Sequence, residues 1–428
     1  MTLLLGLVAK SPAEKYLHVP DSVRSAIIEG QDLLDRYQCA TCHVLEPQKW
    51  HLAYQPGAFR PQPEKPVFPW VDHPFREDEL QASHQADARG LLHATLAGMP
   101  TLADNGRPLV FDDCGDELFE DEDYLPQSLE YLFQLWQPAA LEGREYQVGR
   151  GTLTVFGDQV IARQRASGGF LAQYLLPHVT ELERAVNPNA KGSEAWGWLP
   201  PPLLGQGAKV QPGWLHDYLL APYAIRPASL MRMPNYHLPA AEARVLVNYF
   251  AAQDGVDFPY QTVDRRNRTY LQQAQAAYSR EPSVEAALAD APDPDRLAAA
   301  MRIVTDKNYC ITCHIVGDFD PRTSDRAKGP DLADVYKRFR PEYLRRWLAE
   351  PVSVLPYTGM PVIVPYQDAA PHQGGVAQTL YPGTSIEQLD ALVDLLMNFD
   401  VYTRRRAPVA PLVEAAGAAP AADPAPQE

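Results

Sequence analysis

Two short stretches of the chain carry the same apolar face. Trp214, Leu215, Tyr218 and Leu219 recur at helical spacing between Pro212 and Pro222, and Tyr343, Leu344, Trp347 and Leu348 do so between Pro341 and Pro351. Proline is tolerated in the first turn of a helix and cannot continue one, so each pair of prolines frames a short helix. Aligned without gaps, Pro201, Leu203, Pro212 and Pro222 fall on Pro330, Leu332, Pro341 and Pro351. The block is therefore an internal repeat. Each copy is followed by a Met-Pro pair, Met233-Pro234 and Met360-Pro361, and then by an apolar helix predicted over 240–252 or 386–399. Helices are also predicted upstream of the two copies, over 23–37 and 297–308.

The copies differ in what lies inside them. Residues 47–190 interrupt the first with a proline-rich stretch over 55–74, a predicted helix over 77–97 and a helix over 169–186. Apolar and polar residues alternate over 146–165 around Gly157-Asp158, which predicts a β-hairpin. Residues 255–294 are polar, with a helix predicted near 270–278, and read as a connector. The end, 404–428, is rich in Ala and Pro and is expected to be disordered.

A chain of 428 residues with 46% hydrophobic residues has ample material for two or three globular domains. Its 41 prolines favour long irregular connections. A formal charge of −16 argues against nucleic acid as a partner, because phosphate binding needs the opposite sign. The run from Asp112 to Asp123 holds eight acidic residues; it is a solvated loop by default, or a docking patch for a basic redox protein.

Four of the five cysteines stand in Cys39-Ala-Thr-Cys42-His43 and Cys310-Ile-Thr-Cys313-His314. Two thiols at this spacing can add across the two vinyl groups of one haem, and the adjacent imidazole can reach the iron from the same side. A zinc knuckle or a thioredoxin-like redox pair also uses Cys-x-x-Cys, but neither needs the following His or a downstream Met-Pro. The fifth cysteine, Cys114, lies among carboxylates that disfavour its thiolate. His51, His73, His84, His93, His178, His216, His237 and His372 show no second ligand spacing and read as surface or core histidines.

The order of motif, Pro-x-Leu, Met-Pro and closing helix resembles the class I cytochrome c family, over roughly residues 20–46, 195–254 and 295–402. The resemblance implies a mainly α fold: two cytochrome c-like helical haem domains with a small α+β insertion in the first. Domain one would comprise 1–46 and 191–254, the insertion 47–190, the connector 255–294, domain two 295–403 and the tail 404–428. It implies two covalently bound haem c groups held by Cys39, Cys42, Cys310 and Cys313. The axial ligands would be His43 with Met233 and His314 with Met360, and Pro201, Pro330, Trp214 and Trp347 would line the haems. Met231 and Met99 are the other candidates for the first haem; the gapless offset sets Met231 opposite Met360, but Met233 carries the proline.

Iron held by imidazole and thioether has no vacant position, which suits one-electron transfer, so no catalytic residue is expected. Covalent haem attachment places the chain in the periplasm, on the outer side of the cytoplasmic membrane. Residues 3–9 form an apolar run too short to span a bilayer, so membrane association would need a further segment or a partner. Partners expected of such a carrier are redox proteins, among them a quinol-oxidising complex and a terminal oxidase or reductase. The competing expectation is a diheme enzyme of the peroxidase or thiosulfate dehydrogenase type, with the first haem catalytic.

Overall fold

The computed structural model describes residues 19–405 and 408–418, except 72, 102–109, 112–116, 119–128, 186–187, 189–195, 228, 230, 258–261, 288–294, 324–326 and 367–378. Cys114, His372 and most of the acidic run 112–123 lie outside the described residues. None of the described helices is long and apolar enough to cross a membrane.

Two helical bodies are built from the repeat. In the first, Ser22–Arg36 packs across Ala240–Gln253, with Pro212–Leu220 against the latter. Asp21 caps the opening helix by accepting from the Arg24 amide at 2.7 Å, and Leu33, Leu34, Leu215, Leu246, Tyr249 and Phe250 share its core. Gly30 lies hard against the Tyr249 side chain, so a Cβ there has no room and the two helices could not approach. The second body sets Arg296–Thr305 against Ser385–Met397, with Pro341–Ala349 packed on the latter. Thr384 and Glu387 close a reciprocal cap at the head of Ser385–Met397.

The bodies meet back to back around an approximate two-fold axis. Val210 pairs with Phe339 in an isolated antiparallel bridge. The Gln211 amide donates to the Arg338 carbonyl at 2.9 Å, and the Arg340 amide donates to the Lys209 carbonyl at 3.0 Å. By the same gapless alignment Val210 corresponds to Phe339, Lys209 to Arg338 and Gln211 to Arg340. Each copy therefore contacts its own counterpart, as in a homodimer, within one chain.

The mainly α expectation is overturned by the insertion. Its strands are β1 (Val44–Glu46), β2 (Lys49–Tyr54), β3 (Leu92–Pro100), β4 (Val110–Phe111), β5 (Glu117–Leu118), β6 (Glu130–Leu135), β7 (Ala139–Leu141), β8 (Arg144–Tyr146), β9 (Leu153–Phe156), β10 (Val160–Gln164) and β11 (Ser167–Gly168). Seven of them form one sheet in the order β10-β2-β3-β6-β4-β5, with β9 also on β6, and every described pairing is antiparallel. The chain is thus a mixed α and β protein with a β-sheet unit inserted in the first helical body. The physical reason is period-two burial: β6 alternates half-buried and buried positions along its length, and its buried Tyr131 and Phe133 meet Trp50 edge to face.

Three local expectations change with it. Over 77–97 only Glu77–Ala82 is helical, and β3 follows, because the apolar side chains after residue 91 belong to a sheet face. Residues 146–165 are not a hairpin: β9 and β10 flank Gly157–Gln159, but β9 pairs with β6 and β10 with β2. The Ala- and Pro-rich end contains the helix Val409–Ala418, whose Val409 is buried and whose Leu412 and Val413 pack on the second core. An apolar stripe of three residues at helical spacing outweighed the composition.

The segments 55–74 and 262–278 both fasten to the second body. Phe68 is buried in its core, stacked on Trp70 at 4.7 Å, while Lys65 pairs with Glu350 at 2.6 Å. The connector's Arg265 spans Asp390 and Asp394 at 2.8 and 2.7 Å, and Arg296 reaches Asp394 at 2.7 Å. Asp394 is fully buried, so its carboxylate is tolerable only with both guanidiniums in place. Replacing Asp394 with Ala leaves Arg265 with Asp390 and strands the buried Arg296; denaturant titration is expected to show a loss of about 3–5 kcal/mol.

Candidate haem-binding sites

Each Cys-x-x-Cys-His motif occupies one tight turn directly after a helix. Cys39–Thr41 and Cys310–Thr312 are 3₁₀ turns. The His43 amide donates to the Cys39 carbonyl at 3.0 Å and the His314 amide to the Cys310 carbonyl at 2.9 Å. This brings two thiols and an imidazole onto a single turn in both copies.

A second segment clamps each turn from across the fold. His43 Nδ1 lies 2.7 Å from the Pro201 carbonyl, and His314 Nδ1 lies 2.7 Å from the Pro330 carbonyl. A carbonyl can only accept, so Nδ1 carries the proton and Nε2 presents the lone pair. The following residue completes the clamp: the Leu203 amide donates to the Val44 carbonyl, and the Leu332 amide donates to the Ile315 carbonyl, both at 2.9 Å. Pro201 and Pro330 therefore act through backbone carbonyls, and the Pro-x-Leu spacing supplies one acceptor and one donor.

Glycine makes the close approaches possible. In the second site Gly329 faces the His314 ring so closely that a Cβ would overlap it. In the first site Gly168, at φ +86°, abuts the His43 carbonyl, where β11 pairs with β1 through Val44 and Gly168. The insertion thus leaves and rejoins the first body beside His43.

Burial sets the protonation states. It holds His43 and His314 below the ordinary histidine range, which favours neutral imidazole, the form that ligates metal. It pushes the Cys39 thiol up to about 11 and the Cys310 thiol up to about 12, so neither is the poised thiolate of a redox pair. Zinc would need four converging ligands, and among the described residues no three His, Cys, Asp or Glu side chains converge. Two thiols paired by spacing, beside a neutral imidazole with a locked Nδ1, fit covalent haem c.

The methionines separate by environment. Met233 packs in the first body's cluster with Cys39, Leu33 and Trp214, whereas Met231 and Met99 lie in a different cluster with Trp136, Trp196 and Tyr357. Met99 is moreover held in β3 opposite Gln134. Met360 packs against the second core, which includes Cys310 and Ile311. Trp214 stacks on Tyr218 at 5.0 Å, and Trp347 stacks on Tyr343 at 6.3 Å, one aromatic ladder per copy.

Four of the other histidines have local polar partners. His51 contacts Thr95, His73 contacts Glu145, His93 contacts Asp87 and His216 contacts Asp217. One group went unread in the sequence. Lys209 and Arg338 each stand three residues ahead of the helix-opening proline, and both end up in the seam between the bodies. Their equivalent offsets were the available signal.

Comparison with protein-family models, curated proteins and solved structures returns no match. The reading of the sites accordingly rests on their own residues. Were haem c attached at both turns, replacing Met233 with Ala would abolish the long-wavelength thioether-to-iron charge-transfer band of one oxidised haem, whereas Met231→Ala and Met99→Ala would leave it in place. Absorption and magnetic circular dichroism spectra check this.

Proposed function

We propose that the chain is a diheme c-type cytochrome that carries out one-electron transfer in a periplasmic respiratory chain, as a subunit or docking partner of a larger redox complex. The observation that carries the reading is the clamp made twice over: His Nδ1 at 2.7 Å from the Pro-x-Leu carbonyl in each copy, on a turn that also bears both thiols. Haem c, when bound, supplies a one-electron iron couple.

The roles of the chain's residues follow from their chemistry. Cys39 and Cys42, and Cys310 and Cys313, would hold the two macrocycles through thioethers. His43 and His314 present Nε2, while the carbonyls of Pro201 and Pro330 fix ring orientation and raise imidazole basicity. Met233 and Met360 would offer soft sulfur to the iron, which would favour its reduced state. Leu33, Phe250 and Trp214 of the first core, and Leu344 and Leu392 of the second, with Trp347 stacked on Tyr343, would exclude water and keep the dielectric low.

Equivalence of the two sites favours relay over a division into catalytic and electron-transfer haems. Redox proteins are the partners this reading implies, including a quinol-oxidising complex and a terminal oxidase or reductase. Covalent attachment implies export to the outer side of the cytoplasmic membrane.

Expression with a haem-attachment system, followed by denaturing-gel haem stain and pyridine haemochrome assay, tests the reading. Two covalent haems per chain are expected, falling to one in Cys39→Ala/Cys42→Ala and to one in Cys310→Ala/Cys313→Ala. Absence of covalent haem sinks the proposal. Carbon monoxide binding by the reduced wild type would instead favour a diheme enzyme with the first haem catalytic.

A further inference from the structure

The stretch that carries Met360 is held on both sides by residues of the first copy's insertion. Ahead of the methionine, Tyr357 is buried in the cluster that contains Val44, the residue after His43, and Leu355 packs on the same cluster. The Tyr357 ring lies 5.7 Å from that of Trp136. Further back, Gly149, at φ +77°, sits so close to the Val352 side chain that a Cβ would overlap it. Lys65 reaches Glu350 at 2.6 Å, where the Glu350 side chain is only 10% exposed. Beyond the methionine, the Tyr366 ring lies 5.1 Å from that of Phe68. Trp70, stacked on Phe68, has the Arg345 guanidinium 3.4 Å from its ring centre.

The first copy's own stretch differs at these places. By the gapless alignment Ala221 and Tyr223 stand where Glu350 and Val352 stand, and both are exposed. Within the second stretch the hydrogen bonds are local. The Leu355 amide donates to the Pro351 carbonyl at 2.9 Å, the Thr358 amide to the Leu355 carbonyl at 3.0 Å and the Met360 amide to Thr358 Oγ1 at 3.2 Å. Such bonds shape a turn without fixing where it sits. Aromatic contacts on either side supply that, and a ligand on a loop is only as well placed as the residues that support it.

We propose that Trp136 and Phe68 are positioning residues for Met360: the insertion in the first copy clamps the ligand stretch of the second and holds its thioether in place. The inference rests on the diheme reading above. Neither residue touches the ligand itself. Trp136 acts through Tyr357, three residues ahead of Met360, and Phe68 acts through Tyr366, six residues beyond it. Lys65 and Gly149 secure the approach to the stretch at Glu350 and Val352. The insertion thereby serves the chemistry of the copy it does not interrupt.

Imidazole titration of the oxidised, doubly haem-loaded full chain tests this, because imidazole competes with a thioether for the iron. In a Met233→Ala background the remaining thioether-to-iron band reports Met360 alone, and in a Met360→Ala background it reports Met233 alone. Trp136→Leu and Phe68→Leu are each expected to lower the imidazole concentration that halves the Met360 band about tenfold, the scale of one aromatic pair. The Met233 band should hold its value. An unmoved Met360 band, or an equal fall in both bands, overturns the clamp. Trp136→Phe and Phe68→Tyr keep a ring in each place and should retain the wild-type concentration; if they lose as much as the leucine variants, the proposal fails. Lys65→Gln, at a half-exposed position, serves if a leucine variant does not fold: a smaller fall confined to the Met360 band is expected, and no fall counts against the clamp. Haem stain separates the two levels. Two covalent haems with an unmoved Met360 band sinks the clamp alone, whereas no covalent haem sinks the diheme reading with it.

Discussion

The bond from the histidine ring to a distant backbone carbonyl organises everything else in this molecule. It defines which imidazole nitrogen is available, and it ties the cysteine turn to the Pro-x-Leu segment. In the second copy it spans 16 residues, and in the first 158, yet the distance is the same 2.7 Å. The longer version is affordable because β1 and β11 pair beside His43, returning the chain to where it departed. The loop-closure cost of such a detour grows only with the logarithm of its length, and the sheet's own core stabilises what lies within it.

Packing between the copies uses the same economy of symmetry as a dimer. Counterpart residues bond to one another across the Val210–Phe339 bridge, and counterpart helices bring their aromatic ladders to the same seam. Two helical bodies related in this way present equivalent surfaces to each other within one chain. The connector does not dangle between them. Arg265 and Arg266 anchor it to the carboxylates of the second body's closing helices, including the fully buried Asp394.

Much of the helical architecture and the sites was legible in the residues. Prolines at fixed offsets framed Pro212–Leu220 and Pro341–Ala349, and the cysteine spacing identified both turns. The insertion was not legible as a sheet. Its strands are short, several pair with partners far away in sequence, and a run such as 77–97 begins with a true helical turn before changing period at Leu92. The apparent hairpin around Gly157 failed for a related reason: alternation reports a half-buried strand but is silent on which strand lies beside it. The seam cations Lys209 and Arg338 escaped notice because a lone Lys or Arg before a helix reads as solvated until the opposing copy is set against it.

Phe68 carries an implication for how the polypeptide is put together. It belongs to the segment that leaves the first copy, yet it is buried among residues that are synthesised far later, in the core containing Val304, Leu344 and Leu392. The first half of the chain therefore cannot reach its final surface alone, and the second half lacks a piece of its interior without the first. A chain that began as two copies of one unit has been sewn into an object that neither copy can reconstitute by itself.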